Sequence, residues 1–371
     1  MLSNNQQAFL ALVRAGLWET EVRLSQYEPI DFKEVYRLAQ EQAVAGLVAA
    51  GLERVVDINV PKEDVLTFVG EMLQLEQRNT TMNYFIGILV EKMRSVGIYT
   101  LLVKGQGVAQ CYEKPLWRAC GDIDFFLSED NYFKAIQYLR PLASKIEGEE
   151  SFKKHLALTI ESWEVELHGT LRCGLWKSLD KTLDDVQNEI ICGGAVRSWM
   201  NDNTQVFLPR ADEDVLYVFS HILQHYFKEG VGLRQICDWC RLLWKYKAII
   251  KQRLLESRIR TMGAMTEWKS LAALAVCYLG MPENSMPFYS GEGKWEKKAK
   301  RIMDFIFETG NFGHNRDYSY YNSSSYLKYK AITFWKHSLD SIKYFFVFPK
   351  DSVVLWFRML KEGLVYVAKK K

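Results

Sequence analysis

Apolar positions in the first ninety or so residues recur at spacings of three and four. Leu10, Leu12, Val13 and Leu17 make one set; Val35, Leu38, Ala39 and Ala43 make another. That period is helical, so residues 5–95 are expected to be helices. Pro61, followed by Lys62, Glu63 and Asp64, is a good helix start, because proline fits the first turn and acids complement the helix dipole. The pattern runs to about Val96, where Gly97 can cap it.

The pattern changes at Tyr99. Thr100–Val103 is a short apolar strand candidate ending in Lys104-Gly105, and a helical stretch follows to about Tyr112. Residues 122–127, Asp-Ile-Asp-Phe-Phe-Leu, begin with strand-like alternation. Ser128, with Glu129 and Asp130, opens a helix to about Leu139. Further strands are expected at Leu156–Ser162 and Glu164–His168, with Glu189–Val196 and Gln205–Leu208 as weaker candidates. From Asp212 the helical period returns, with breaks near Glu229-Gly230, Gly280–Gly293 and Gly310–Ser325. Asp351–Ala368 reads as a basic amphipathic helix before terminal lysines. The expected organisation is α+β: an N-terminal helical region (1–97), an α/β core (98–209) and a C-terminal helical domain (210–371).

Composition narrows the class without naming it. The 371 residues are 48% hydrophobic and 25% charged, ordinary for a globular chain with a sizeable core. A net charge of +3 gives no bulk argument for nucleic acid, although a local basic surface stays open. Seven scattered cysteines suit reduced thiols and a cytoplasmic setting. Neither a signal peptide nor a run of the ~20 apolar residues a membrane span needs is visible.

The informative chemistry is acidic. In a strand, residues two apart share a face, so Asp122 and Asp124 project side by side. Two adjacent carboxylates repel, and a hard divalent cation, Mg2+ or Mn2+, relieves that repulsion. A two-ion site needs a third acid. Glu164, Glu166 and His168 share a face of the later strand, and Glu166, being central, is preferred to Glu164. The turn Lys104-Gly105-Gln106-Gly107 opens a helix, where backbone N–H groups can approach a triphosphate. Lys104 and Arg118 can pair with phosphate. Each piece alone is weak; their order along the chain carries the reading.

Leu101–Gly105, Arg118, Gly121–Asp124 and Val165–His168 together resemble the uncharacterised nucleotidyltransferase family of the DNA polymerase beta-like superfamily. His221, His225, Gly232-Leu233-Arg234 and Asp238 look like that family's second block, and Gly310–Gly313 like a weaker late motif. The resemblance implies a polymerase beta-like mixed sheet and nucleotide transfer. It makes Asp122 and Asp124 metal ligands and Glu166 the third acid. The turn departs from the superfamily's usual Gly-Gly or Gly-Ser, so phosphate contacts must differ.

On that reading an acceptor hydroxyl attacks the α-phosphate of a nucleoside triphosphate and pyrophosphate leaves. Glu166 or a metal-bound hydroxide takes the proton. The acceptor can be a small molecule, RNA or protein. Two other classes remain: a non-catalytic nucleotide-binding or interaction protein on the same fold, and a toxin or defence component that modifies RNA or protein. Other features have plainer readings. His221, His225, Cys237 and Cys240 could bind zinc if two helices met, but their spacing matches no strong zinc signature. A polar cluster of His225, Arg234 and Asp238, facing the cleft or purely structural, is preferred. Cys111 and Cys120 read as structural thiols. The tyrosine-rich run from Tyr318 to Tyr326 reads as a surface loop, with base stacking as the sharper alternative.

Overall fold

The computed structural model describes residues 2–150, 154–316 and 326–369. Tyr318, Tyr320, Tyr321 and the last two lysines lie outside them. Four helices lead the chain: α1 (Asn4–Trp18), α2 (Phe32–Glu41), α3 (Ala45–Leu52) and α4 (Lys62–Ser95). A capping box starts α1: Ser3 Oγ accepts from the Gln6 N–H at 3.2 Å, and the Gln6 side chain accepts from the Ser3 N–H at 3.0 Å. Helix α4 opens after Pro61 with Glu63 and Asp64 and closes on Lys92 and Arg94, matching its dipole at both ends. Gly97, at φ 76°, takes the left-handed conformation just beyond it.

The central part holds β1 (Leu101–Val103), α5 (Gly105–Ala109), β2 (Asp122–Phe126), α6 (Glu129–Leu139), β3 (Ala143–Glu150), β4 (His155–Ile160) and β5 (Trp163–His168). Helix α7 (Lys177–Gly193) and a separate hairpin, β6 (Arg197–Asn201) with β7 (Thr204–Leu208), follow. The five-stranded sheet runs β1-β2-β5-β4-β3. Only β2 and β5 are parallel; the other neighbours are antiparallel, so the sheet is mixed. The remainder is helical: α8 (Ala211–Lys228), α9 (Leu233–Tyr246), α10 (Gln252–Met262), α11 (Met265–Cys277), α12 (Gly293–Thr309), α13 (Tyr326–Phe345) and α14 (Pro349–Lys369). Among the described residues, no helix is long and apolar enough to cross a membrane.

Three features differ from the sequence reading, one being β6, which lies just past the expected Glu189–Val196 strand. Glu189–Gly193 belongs to α7 and is not a strand. Leu179, Leu183, Val186 and Ile190 repeat at helical spacing and are all buried, and this stripe outweighs the strand-like Ile190-Ile191 pair. Strand β3 escaped notice because Ser144, Lys145 and Glu147 give an edge strand little apolar alternation.

Two hydrophobic cores organise the chain. One joins the leading helices to the trailing ones: Phe9, Leu12 and Val48 pack in the same cluster as Phe219, Trp239, Trp268 and Ile302. Polar ties run the same way, from the Gln42 side chain to the Ile306 carbonyl (3.1 Å) and from Arg241 to the Leu17 carbonyl (2.6 Å). The second core lies under the sheet, where Ile123, Phe125, Val165 and Leu167 meet Tyr132, Val206 and Leu208. Helix α4 serves both cores: Phe68 and Met72 enter the first, Met82 to Met93 the second.

Candidate active site

Alternation along β2 and β5 sends Ile123, Phe125, Val165 and Leu167 into the second core and leaves the even-numbered acids on the opposite face. The parallel register pairs Asp122 with Glu164 and Asp124 with Glu166. Carboxylate oxygens of Asp122, Asp124 and Glu166 all lie within 4.8 Å of one another. Glu164 is exposed and lies outside that group.

Asp124 is the deepest member, at 1% exposure. It accepts from the Lys104 ammonium at 2.7 Å and lies 2.8 Å from His168 Nε2. Burial nevertheless raises its carboxyl above the ordinary carboxylate value, with Asp122 adding repulsion and Lys104 and His168 opposing. Glu166 goes the other way: burial resists its charge, but hydrogen bonds from His155 and His168 hold it well below 4.5. Both imidazole Nε2 atoms stand 3.2 Å from Glu166 Oε2. For His168, burial disfavours the proton, yet the bonds to Asp124 and Glu166 leave its affinity raised.

Strand β1 ends with Val103 opposite Asp124, so the following turn arrives at the acids. Lys104 sits at φ 56°, ψ −147°, a conformation that costs a side-chain-bearing residue on the order of 1–3 kcal/mol. Such a cost persists where the surroundings over-determine the geometry, and here the Asp124 pair does so. Gly105 is also left-handed (φ 39°), and a Cβ on it would stand 3.1 Å from Cys120 Sγ. The Gln106 side chain is buried and donates to Asn79 Oδ1 at 2.8 Å, so it serves the fold and leaves only its backbone to the site. Asn79, at the middle of α4, also donates to the carbonyls of Leu116 (2.8 Å) and Arg118 (2.9 Å).

Helices α8 and α9 face the acids across a cavity of two compartments. Lys104, Asp122, His221 and Phe312 line both. Arg118, Arg234 and Asp238 complete the inner one. The outer compartment, roughly 400 Å³, adds His155, Glu166, His168, Tyr217 and His225. Arg118 is committed to a two-bond pair with Asp238 (Nε 3.1 Å, Nη2 2.6 Å), both side chains being 7% exposed. The Tyr112 hydroxyl donates to the same carboxylate at 2.7 Å. Arg234 is differently placed. It donates to the Ala119 carbonyl at 3.0 Å, its buried Nε has no partner among the described residues, and its guanidinium lies 5.4 Å from the Phe312 ring centre. Burial and the neighbouring Arg118 lower its hold on its proton.

A family model described as an uncharacterised nucleotidyltransferase matches residues 28–280. The chain belongs to that family. No curated protein and no solved structure matches the chain. The match takes in every acid of the cluster, the Lys104 turn and the Arg234–Asp238 block; the 310–313 turn lies beyond it.

In this member of the family the second block is divided. Arg234 and Asp238 face the inner compartment and His225 the outer one. His221 and His225 bring their Nε2 atoms to 3.0 Å, and His225 Nδ1 is 3.1 Å from Glu229. Cys237 and Cys240 are wholly buried and belong to neither candidate metal group among the described residues. Cys111 and Cys120 are likewise buried free thiols. Two site residues, His155 and Tyr217, escaped sequence reasoning. His155 was reachable: Ile160 pairs with Trp163 across a two-residue turn, and counting back along that hairpin sets His155 opposite His168. Tyr217 carried no local signal, whereas Phe312 stands in the Gly310–Gly313 motif. Phe312, at φ 52°, reaches the cleft from a tight turn and packs 4.7 Å from the His225 ring.

Proposed function

We propose that this protein is a metal-dependent nucleotidyltransferase with a polymerase beta-like core, transferring a nucleoside monophosphate from a nucleoside triphosphate to an acceptor hydroxyl. The observation that carries this reading is the meeting of Asp122, Asp124 and Glu166 on one sheet face, with the Lys104 turn at their edge. The donor set fits Mg2+ or Mn2+: three hard oxygens crowded together, one on a carboxylate whose charge burial opposes. When bound, the ion neutralises triphosphate charge and lowers the pKa of the attacking hydroxyl.

The chain's own groups would divide the remaining work. Lys104 is the cation nearest the acids and would pair with the triphosphate. First-turn N–H groups of Gly105, Gln106 and Gly107 lack i−4 acceptors within α5 and would donate to phosphate oxygens. Arg234, whose buried Nε has no partner among the described residues, is better placed than Arg118 for a phosphate contact. Glu166, held ionised by its two histidines, suits a ligand better than a base. Phe312 and Tyr217 would wall the acceptor side. Seven free cysteines support a reducing, cytoplasmic setting.

The test is incubation with each labelled nucleoside triphosphate, Mg2+ or Mn2+ and cell extract, beside Asp122→Asn/Asp124→Asn. Label transfer or pyrophosphate release that vanishes in the double variant supports the reading and identifies the nucleotide. Binding without turnover under any condition would point to a nucleotide-binding protein instead. No binding at all overturns the triphosphate site.

A further inference from the structure

We propose that His155, Glu166 and His168 form a second divalent-cation site, nitrogen-rich, that takes Zn2+, Mn2+ or Co2+ in preference to Mg2+. It shares Glu166 with the acid cluster but does not depend on nucleotidyl transfer. Three observations carry it.

The first is convergence. One ring nitrogen of each histidine and a Glu166 carboxylate oxygen come within 4.8 Å of one another as a group, and both Nε2 atoms stand 3.2 Å from the same oxygen. Ligand atoms each ~2.1 Å from one ion, at tetrahedral or octahedral angles, lie about 3.0–3.4 Å apart. The two measured separations fall inside that window. The same separations are at the long end of the N–H···O range, and Asp124, which stands 2.8 Å from His168, keeps its Lys104 partner if His168 turns to an ion.

The second is rigidity. His155 and His168 are register partners on β4 and β5, two strands joined by a tight hairpin, and their rings stand 4.9 Å apart. No loop has to order for the ligands to meet.

The third is access. His155, Glu166 and His168 all line the roughly 400 Å³ outer compartment. Three protein ligands leave coordination positions open on that side. Two imidazoles and one carboxylate suit first-row transition ions, whereas Mg2+ prefers oxygen throughout. The cleft thus holds a hard oxygen site and a borderline nitrogen site that meet at one carboxylate.

The experiment is a Co2+ titration of the metal-free, full-length chain, read by visible absorption. One ion should give the stronger band of nitrogen-ligated cobalt, and Zn2+ should displace it. Asp122→Asn should leave that band in place. His155→Ala and the gentler His155→Gln should weaken binding by about a hundredfold or more, since even outer-shell partners of a ligand contribute about ten- to hundredfold. Pulsed electron paramagnetic resonance of the Mn2+-loaded, unmutated chain should detect imidazole nitrogen, which needs no variant to fold. No band, no nitrogen coupling, or unchanged binding in folded His155 variants each overturns the site. So does loss of the band in Asp122→Asn. Triphosphate turnover in Mg2+ is scored separately, so its absence alongside a His155-dependent cobalt band removes the transferase reading and leaves this one standing.

Discussion

Two groups of buried charge line the same cavity and are built on opposite plans. Arg118 and Asp238 form a closed pair: two hydrogen bonds join them, Tyr112 donates to the carboxylate, and both side chains are almost wholly buried. Asp122, Asp124 and Glu166 form an open group in which three carboxylates crowd around one lysine and two histidines. The closed pair has what it needs within the chain and so belongs to the fold. Burial and repulsion from Asp122 raise one acid of the open group despite Lys104 and His168, so its charge is not fully balanced within the chain. Proximity to the cavity is common to both groups; completeness of pairing is what distinguishes them.

The largest effect should come from the open group. Asp122→Asn/Asp124→Asn should lower label transfer by about a thousandfold or more, since ion-assisted charge stabilisation is worth several kcal/mol and each ~1.4 kcal/mol is a factor of ten. Asp122→Asn alone should melt no lower than the parent, because it removes repulsion. The closed pair should answer in reverse. Asp238→Ala leaves a buried guanidinium without its counter-charge and should cost about 3–5 kcal/mol in a denaturant titration.

Arg234→Met sharpens the contrast between the two arginines. It should raise the KM for triphosphate about ten- to hundredfold, the worth of a charge-assisted hydrogen bond, while the denaturant midpoint hardly moves. The smallest effect concerns His221, whose imidazole burial and Lys104 hold well below its ordinary 6.5. Unfolded, that ring gains a proton as pH falls through 6.5; folded, it stays neutral, so stability must decline on the acid side. The slope is at most about 1.4 kcal/mol per pH unit. Melting His221→Asn across that window should give a flatter profile than the parent; an unchanged profile would move the acid sensitivity to another group.

Period-two and period-three-to-four patterns made much of this legible. They located β1, β2, β5 and the long helices, and they put the acids on one strand face. What they could not supply was pairing between distant segments. Glu166 and Glu164 are equivalent by alternation, and only the parallel register with β2 sets Glu166 beside Asp124. Arg118 and Arg234 look alike in sequence until Asp238, 120 positions from Arg118, claims one of them. His155 needed only the length of the hairpin turn. Phe312 lies beyond the family match; its motif was visible in the sequence, but its place in the cleft comes from long-range packing.

Asn79 gives the cleft its mechanics. One side chain, fixed halfway along a 34-residue rod, holds the lysine turn through Gln106 and the arginine loop through two carbonyls. The rod is anchored in a different core at each end. Asn79 is thus shared between the two rims, and Arg78 beside it adds a bond to the Cys120 carbonyl (2.8 Å), so both rims are fastened to one stretch of α4. Among the described residues, α8 and the 310–313 turn on the far side carry no such side-chain hydrogen bond to α4, so the two walls of the cleft are fastened differently.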